Sequence, residues 1–266
     1  MIGGAIGSSF ARARDAIARG LIRLRVAPNA LTVVGAFVMA GAAICYALGS
    51  GGAFAWSLTP GEAPNAWLLL AGLLLLLASA CDLLDGAVAR LGNNKSDFGA
   101  FLDSTTDRFS DFAVYAGIAV YYAWSQSPAN ITFLVLAMLA FFNAFMVSYT
   151  KARAEDIIES CGVGFWQRGE RSAAVLIATF AHNIPALLVQ QAILPAFTVW
   201  RRISHTRAAI RQKRTGLTAP PRLETLRFWR QRRGTLGYEI TVAANIAWLL
   251  FARFEPVDII RQWLGA

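Results

Sequence analysis

An all-α integral membrane protein, with six transmembrane helices preceded by an amphipathic interfacial helix, is the fold class that three observations predict. The chain is 56% hydrophobic and only 15% charged, with a mean hydropathy of +0.47, which is more apolar than a soluble domain of 266 residues. It contains a series of apolar segments, and about 20 such residues in a helix cross the hydrocarbon core of a bilayer. Lys and Arg cluster between alternate segments, the asymmetry that orients a membrane protein.

The elements follow in order. Residues 1–28 include SSFARARDAIARGLIRLRV, where apolar and basic positions alternate with near-helical spacing, and we expect an amphipathic helix lying at the membrane interface. PNALT follows, and Pro28 and Asn29 suit the start of a helix. Residues 30–50, 66–89, 98–124 and 131–154 are the first four expected spans, residues 172–183 the fifth, extended back toward Arg168, and residues 184–200 the sixth. A tight turn at His182-Asn183-Ile184-Pro185 is expected to part the last two, because a residue before proline avoids the α region. The catalytic domain is expected over 29–203 and a basic tail over 204–266.

Charge sets the orientation. Arg12, Arg14, Arg19, Arg23 and Arg25 precede the first span, Arg90 and Lys95 follow the second, and Lys151, Arg153, Arg168 and Arg171 lie between the fourth and fifth. The alternate connections at 51–65, 123–130 and around His182 have no Lys or Arg. Both ends of the six-span unit, the N-terminus among them, are thus expected on the cytoplasmic side of the cytoplasmic membrane. From residue 201 onward there are 13 Lys and Arg against 4 Asp and Glu, whereas the first 200 residues balance. Such a tail suits anionic lipid headgroups, and no nucleic-acid reading motif accompanies it. TGLTAPPR reads as a linker, and residues 238–254 as an interfacial or protein-packed helix rather than a seventh span. Cys45, Cys81 and Cys161 show no ligand spacing and are expected to be packed free thiols.

Six aspartates lie between residues 81 and 112, directly after an apolar run. Asp82 and Asp85, three apart, share a face of one helix, and Asp103 and Asp107, four apart, share a face of the next. Gly92-Asn93-Asn94 supplies turn chemistry between them, so the helices are antiparallel neighbours and both pairs can address one site. Four facing carboxylates require protonation or a cation. With no His or Cys in register, hard oxygen ligands select Mg²⁺, Mn²⁺ or Ca²⁺, and such ions commonly hold phosphate oxygens. Gly86, Ala89 and Gly99 allow either a substrate or a neighbouring helix to approach the backbone. Asp97 and Asp111 are expected to cap, or to pair with Lys95 or Arg108.

The pattern Asp82-x2-Asp85-Gly86-x2-Ala89-Arg90-x8-Gly99-x3-Asp103-x3-Asp107 resembles the complete signature of the CDP-alcohol phosphotransferase family. The resemblance runs from PNALT through SYTKARAE and GER to about Arg202. It implies a six-span, dimeric membrane enzyme that transfers a phosphatidyl-type group from a CDP-linked lipid, CDP-diacylglycerol, to an alcohol and releases CMP. By the same resemblance Asp82, Asp85, Asp103 and Asp107 hold Mg²⁺ or Mn²⁺, two ions in all. Asp107 is the general base, and Asp82, Gly86, Ala89, Arg90 and Gly99 bind the CDP moiety. Lys151, Arg153, Arg168 and Arg171 are candidates for a phosphorylated acceptor, since Arg and Lys suit phosphate. SYTKARAE followed by GER is similar to the subgroup that uses inositol phosphate, with glycerol 3-phosphate as the alternative acceptor. A cation transporter is the alternative of another class. It calls for ionisable groups along several spans, whereas here the charges gather at one surface.

Overall fold

The computed structural model describes residues 2–50, 65–124, 130–215 and 235–252, and among them there are eight helices and no strand. They are α1 (Ile2–Arg23), α2 (Pro28–Gly49), α3 (Ala66–Leu91), α4 (Asp97–Trp124), α5 (Asn130–Glu155), α6 (Arg168–Phe180), α7 (Ile184–Thr215) and α8 (Leu236–Phe251). Most of the linker at 215–222, and most of the connections without Lys or Arg at 51–65 and 123–130, fall outside the described residues. Helices α2, α3 and α5 are each long and apolar enough to cross a membrane. Helix α6 has 13 residues, about 20 Å at 1.5 Å per residue, short of a hydrocarbon core.

Burial is distributed as in a membrane protein. Small side chains fill the interior: Ala42, Ala71, Ala137, Ala140, Ala144, Ala178 and Ala186 are fully buried. Large apolar ones point outward, with Phe37, Leu73, Met138 and Trp200 mostly exposed. Lipid solvates Leu and Phe as well as a protein core does, so helices associate through small residues that let backbones approach. Gly117 on α4 is the clearest case, because a Cβ there would strike the Ala43 backbone of α2.

Three helices end on a left-handed residue other than glycine. Arg25, Asn93 and His182 adopt the left-handed conformation, with φ of 57°, 53° and 56°. A reversed backbone bond closes each turn, Val26 N–H to Leu21 O, Asn94 N–H to Ala89 O and Asn183 N–H to Ala178 O, and at the first and third a second bond joins it, Arg25 N–H to Ile22 O and His182 N–H to Thr179 O. The α6–α7 turn is therefore made by His182 and not by Pro185. Proline sits in the first turn of α7, where its missing N–H leaves no bond unmade. His182 is held in place by Asn65, whose N–H donates to Nε2 at 2.9 Å, while Nδ1 lies 3.0 Å from Phe180 O.

Helix α7 bends the expected boundaries. It runs past residue 203 to Thr215, so the break between membrane unit and tail falls inside a helix if drawn at 204. No Gly or Pro interrupts residues 201–215. The segment from 156 to 167 also lies along a stripe of α7 at spacing four: Thr206 meets the Cys161 thiol at 3.9 Å, Arg202 Nε donates to Val163 O at 3.2 Å, and Trp166 N–H donates to Thr198 Oγ1 at 3.1 Å. Burial there pushes the Cys161 thiol up, keeping it protonated. Pro195 interrupts the α7 ladder, and Asn143 of α5 donates to the nearby carbonyls of Gln191 and Ala192, the latter at 2.7 Å.

Two peripheral helices differ from a purely interfacial picture. Helix α1 packs on protein: Ala18 is fully buried against Ala87 and Val88 of α3, with Leu21, Ile22 and Leu31 around them. Helix α8 packs beside α6 and against α7. Asn183 donates to Leu249 O and Ala252 O, Gln190 to Asn245 Oδ1, and Trp248 Nε1 to Ala186 O.

Candidate active site

The site lies where α3 ends and α4 begins. Asn93 turns the chain, and Ser96 caps α4 by accepting from the Gly99 N–H at 3.0 Å. The chain reverses here, but α3 and α4 do not pack on each other as antiparallel neighbours: both pack on α2, and the face of α3 carrying Asp82 and Asp85 and the face of α4 carrying Asp103 and Asp107 look into the space left between them. Carboxylate oxygens of Asp82, Asp103 and Asp107 lie within 4.8 Å of one another. Asp85 leans instead toward α2. It is buried, and it accepts the Thr32 hydroxyl at 2.6 Å.

Two arginines from the start of α6 close the other side. Arg168 reaches Asp82 at 3.0 Å and Asp107 at 2.5 Å, and Arg171, 2% exposed, pairs with Asp111 at 2.8 Å. Asp111 extends the Asp103–Asp107 stripe by one more turn, so its partner is Arg171 and not Lys95 or Arg108. Arg108 instead sits 3.7 Å from Asp107.

These groups face two cavities that share a wall. The first, about 490 Å³, is lined by all four signature aspartates together with Asp111, Arg168 and Arg171, and runs inward past Ser79, Ser110 and Tyr115. Its five carboxylates and two guanidiniums leave an excess of three formal negative charges, a deficit that one or two divalent cations fit. Hard carboxylate oxygens with no thiolate or imidazole are the donor set for Mg²⁺ or Mn²⁺. The second cavity, about 420 Å³, is lined by Gly86, Ala89, Arg90 and Gly99, with Asn29, Lys95 and Ser96. Thr32, Asp85 and Asp103 belong to both linings, so Asp85 is part of the partition.

The structure thus brings together Asp82, Asp85, Asp103, Asp107, Arg168 and Arg171 in one cavity, and Gly86, Ala89, Arg90 and Gly99 in the other. Lys151 and Arg153 line neither. Lys151 is 3.9 Å from Glu155, and Arg153, exposed, is 2.7 Å from Asp156. Sequence reasoning overlooked Thr32, whose four-residue offset from Pro28 marks only a helix start, and gave Asp111 the wrong partner, although its spacing from Asp107 was a visible signal. The buried Arg202, which donates to the carbonyls of Val147 and Val163, had no local signal at all.

Comparison with known proteins gives a consistent result. The sequence profile of the family described as CDP-alcohol phosphatidyltransferase matches residues 25–209. The phosphatidylinositol phosphate synthase of Cutibacterium acnes is 31% identical over 219 residues, 76% of this chain and 96% of that one. Among solved structures, the phosphatidylinositol phosphate synthase of Mycobacterium tuberculosis with CDP-DAG bound is similar with a TM-score of 0.60 and 28% identity, covering 73% of this chain and 93% of that one. The same enzyme in complex with manganese and citrate gives a TM-score of 0.60 and 28% identity over 73% of this chain and 88% of that one.

Proposed function

The chain belongs to the CDP-alcohol phosphatidyltransferase family, and from that premise we propose that it transfers the phosphatidyl group of CDP-diacylglycerol to the hydroxyl of inositol phosphate, releasing CMP. The observation that carries this reading is the paired cavity. A small-residue pocket and an arginine-lined pocket meet at the carboxylates, as a nucleotide and a phosphorylated acceptor on either side of one reacting phosphorus require.

Asp82, Asp85, Asp103 and Asp107 would hold divalent cations, Mg²⁺ or Mn²⁺, two in number. Bound there, the ions supply charge neutralisation to the pyrophosphate, the chief demand of phosphoryl chemistry. Gly86, Ala89 and Gly99 leave room for the cytidine, and Arg90 stands beside it. Arg168 and Arg171 hold the acceptor phosphate, with Lys151 and Arg153 further out along the end of α5. Asp107 takes the proton of the acceptor hydroxyl as its oxygen bonds to the phosphorus nearest the lipid. The bond from that phosphorus to the CMP oxygen breaks, and CMP departs. Thr32 holds Asp85 by its hydroxyl and so fixes the partition between the two substrates.

Around this site, helices α2 to α7 are proposed as six spans of an integral membrane protein, with α6 too short to cross alone and flanked by α8. The aspartates and the N-terminus lie on the cytoplasmic side, and the protein works as a homodimer. The unit from 29 to 203 carries catalysis, α1 is a juxtamembrane arm, and the remainder is a tail. The basic residues around Arg90, Lys151 and Arg168 support this orientation.

Release of labelled CMP from CDP-diacylglycerol with Mg²⁺ or Mn²⁺ tests the reading, with inositol phosphate, glycerol 3-phosphate, inositol and serine offered in turn. The highest rate is expected with inositol phosphate. A preference for glycerol 3-phosphate keeps the reaction and changes the acceptor, whereas a preference for serine removes Arg168 and Arg171 from the acceptor role.

A further inference from the structure

Helix α8 lies wholly beyond the residues that match the family profile, which ends at 209. It nevertheless touches the segment that delivers the active-site arginines. Its Tyr238 makes two contacts there. The ring packs against Phe165 with centroids 5.4 Å apart, and the hydroxyl donates to Glu170 Oε1 at 2.9 Å. Phe165 is three residues before Arg168 and Glu170 two after it, so one side chain holds the chain on both sides of the residue that reaches Asp82 and Asp107.

The placement of that segment depends on such contacts. Residues 156–167 form no regular helix, and their position along α7 comes from side chains rather than from a backbone ladder. Helix α6 begins at Arg168 itself, and no side chain caps its N-terminus. A first turn without a cap keeps unsatisfied N–H groups and frays more readily. The far end of α8 is fixed independently through Asn183, Trp248 and the fully buried Leu249. Tyr238 therefore sits on a helix that packs along α6 and whose far end is anchored away from the arginine segment, on the α6–α7 turn and α7.

We propose that Tyr238 is a positioning residue for Arg168: through Phe165 and Glu170, α8 fixes the first turn of α6 so that Arg168 and Arg171 present their guanidiniums to the acceptor phosphate. This inference rests on the acceptor role of those arginines.

Steady-state kinetics of the full chain in detergent or vesicles test it. Tyr238→Phe keeps the ring against Phe165 and removes only the hydroxyl. The expected result is a rise in the KM for the phosphorylated acceptor of roughly five- to tenfold, the scale of one hydrogen bond to a charged group felt through a neighbour, with kcat and the CDP-diacylglycerol KM unchanged and the melting temperature lowered less than by the core variant that follows. Phe133→Ala, in the core beside Tyr122 at the far end of α4 from Asp107, leaves α8 untouched and is expected to lower the melting temperature while leaving the acceptor KM in place. Equal rises in the acceptor KM for both variants, or none for Tyr238→Phe, would overturn the positioning role. Arg168→Ala, measured alongside, separates the two failures. If it raises the acceptor KM and Tyr238→Phe does not, only the brace is wrong; if it does not, the acceptor reading falls and the brace with it.

Discussion

The two cavities sit on either side of Asp85 and Asp103 and were built in different ways. The second is made of residues from the N-terminal turn of α2 and the α3–α4 hairpin, all between Pro28 and Asp103. Most of its lining follows from helix periodicity and one left-handed residue, Asn93, while packing on α2 brings in Pro28, Asn29 and Thr32 and holds α3 and α4 apart. The first cavity adds residues from the start of α6, which follow Asp107 by about 60 positions and are held by a segment without regular structure. A site wall made by local repeat resists distant perturbation, and a wall made by long-range packing does not. The proposed nucleotide side should therefore respond to changes in volume, and the proposed acceptor side to changes in what braces it.

The largest expected effect strikes the seam between them. Stripping divalent cations with a chelator is expected to abolish CMP release, and adding Mg²⁺ or Mn²⁺ back to restore it, because in the proposed reaction both substrates meet at the excess carboxylate charge. Full activity in the stripped protein would end the comparison altogether. Asp107→Asn comes next: it keeps the shape and removes the proposed proton acceptor, and turnover is expected to fall on the order of 10²- to 10⁴-fold with donor binding retained. Unchanged turnover would take Asp107 out of the base role.

Gly86→Val isolates the nucleotide side. Replacing a helical glycine favours the helix by about 0.5–1 kcal/mol when the new residue is a good helix former, an advantage that β-branching largely removes, so stability is expected to change little. The side chain would enter the second cavity, where the nearest atom to a Cβ is the flexible Arg90 guanidinium at 3.1 Å. The KM for CDP-diacylglycerol is expected to rise on the order of tenfold, about 1.4 kcal/mol, with the acceptor KM unchanged. A rise in both would mean that the partition transmits strain. The smallest effect is expected of Arg153→Ala. Its exposed pair with Asp156 is a surface interaction worth about 0–1 kcal/mol, and the acceptor KM should move less than about threefold on that scale. A larger rise would draw the end of α5 into the acceptor site.

Arg171 illustrates how far local reading reaches. As one of four basic residues between two spans it has the same sequence signal as Lys151 and Arg153. In the structure it is buried against Asp111, and removing one partner of a buried pair costs about 3–5 kcal/mol. Nothing in a single window distinguishes these residues, because burial is a property of what packs above them. The aspartates were legible for the opposite reason: spacing of three and four fixes a shared helix face whatever surrounds it. Even so, the tilt of Asp85 toward Thr32 needed α2 in place.

The amino-acid sequence alone determined the membrane class, the helix positions, the carboxylate faces and the small residues beside them, since hydropathy and helical period are local quantities. Only the tertiary structure decided which arginines face the aspartates, that Asp85 divides two cavities, that α7 continues past residue 203 to Thr215, and that α8 reaches back to Glu170. Those outcomes depend on contacts between residues far apart in the chain, and their energies exist only once the helices have packed.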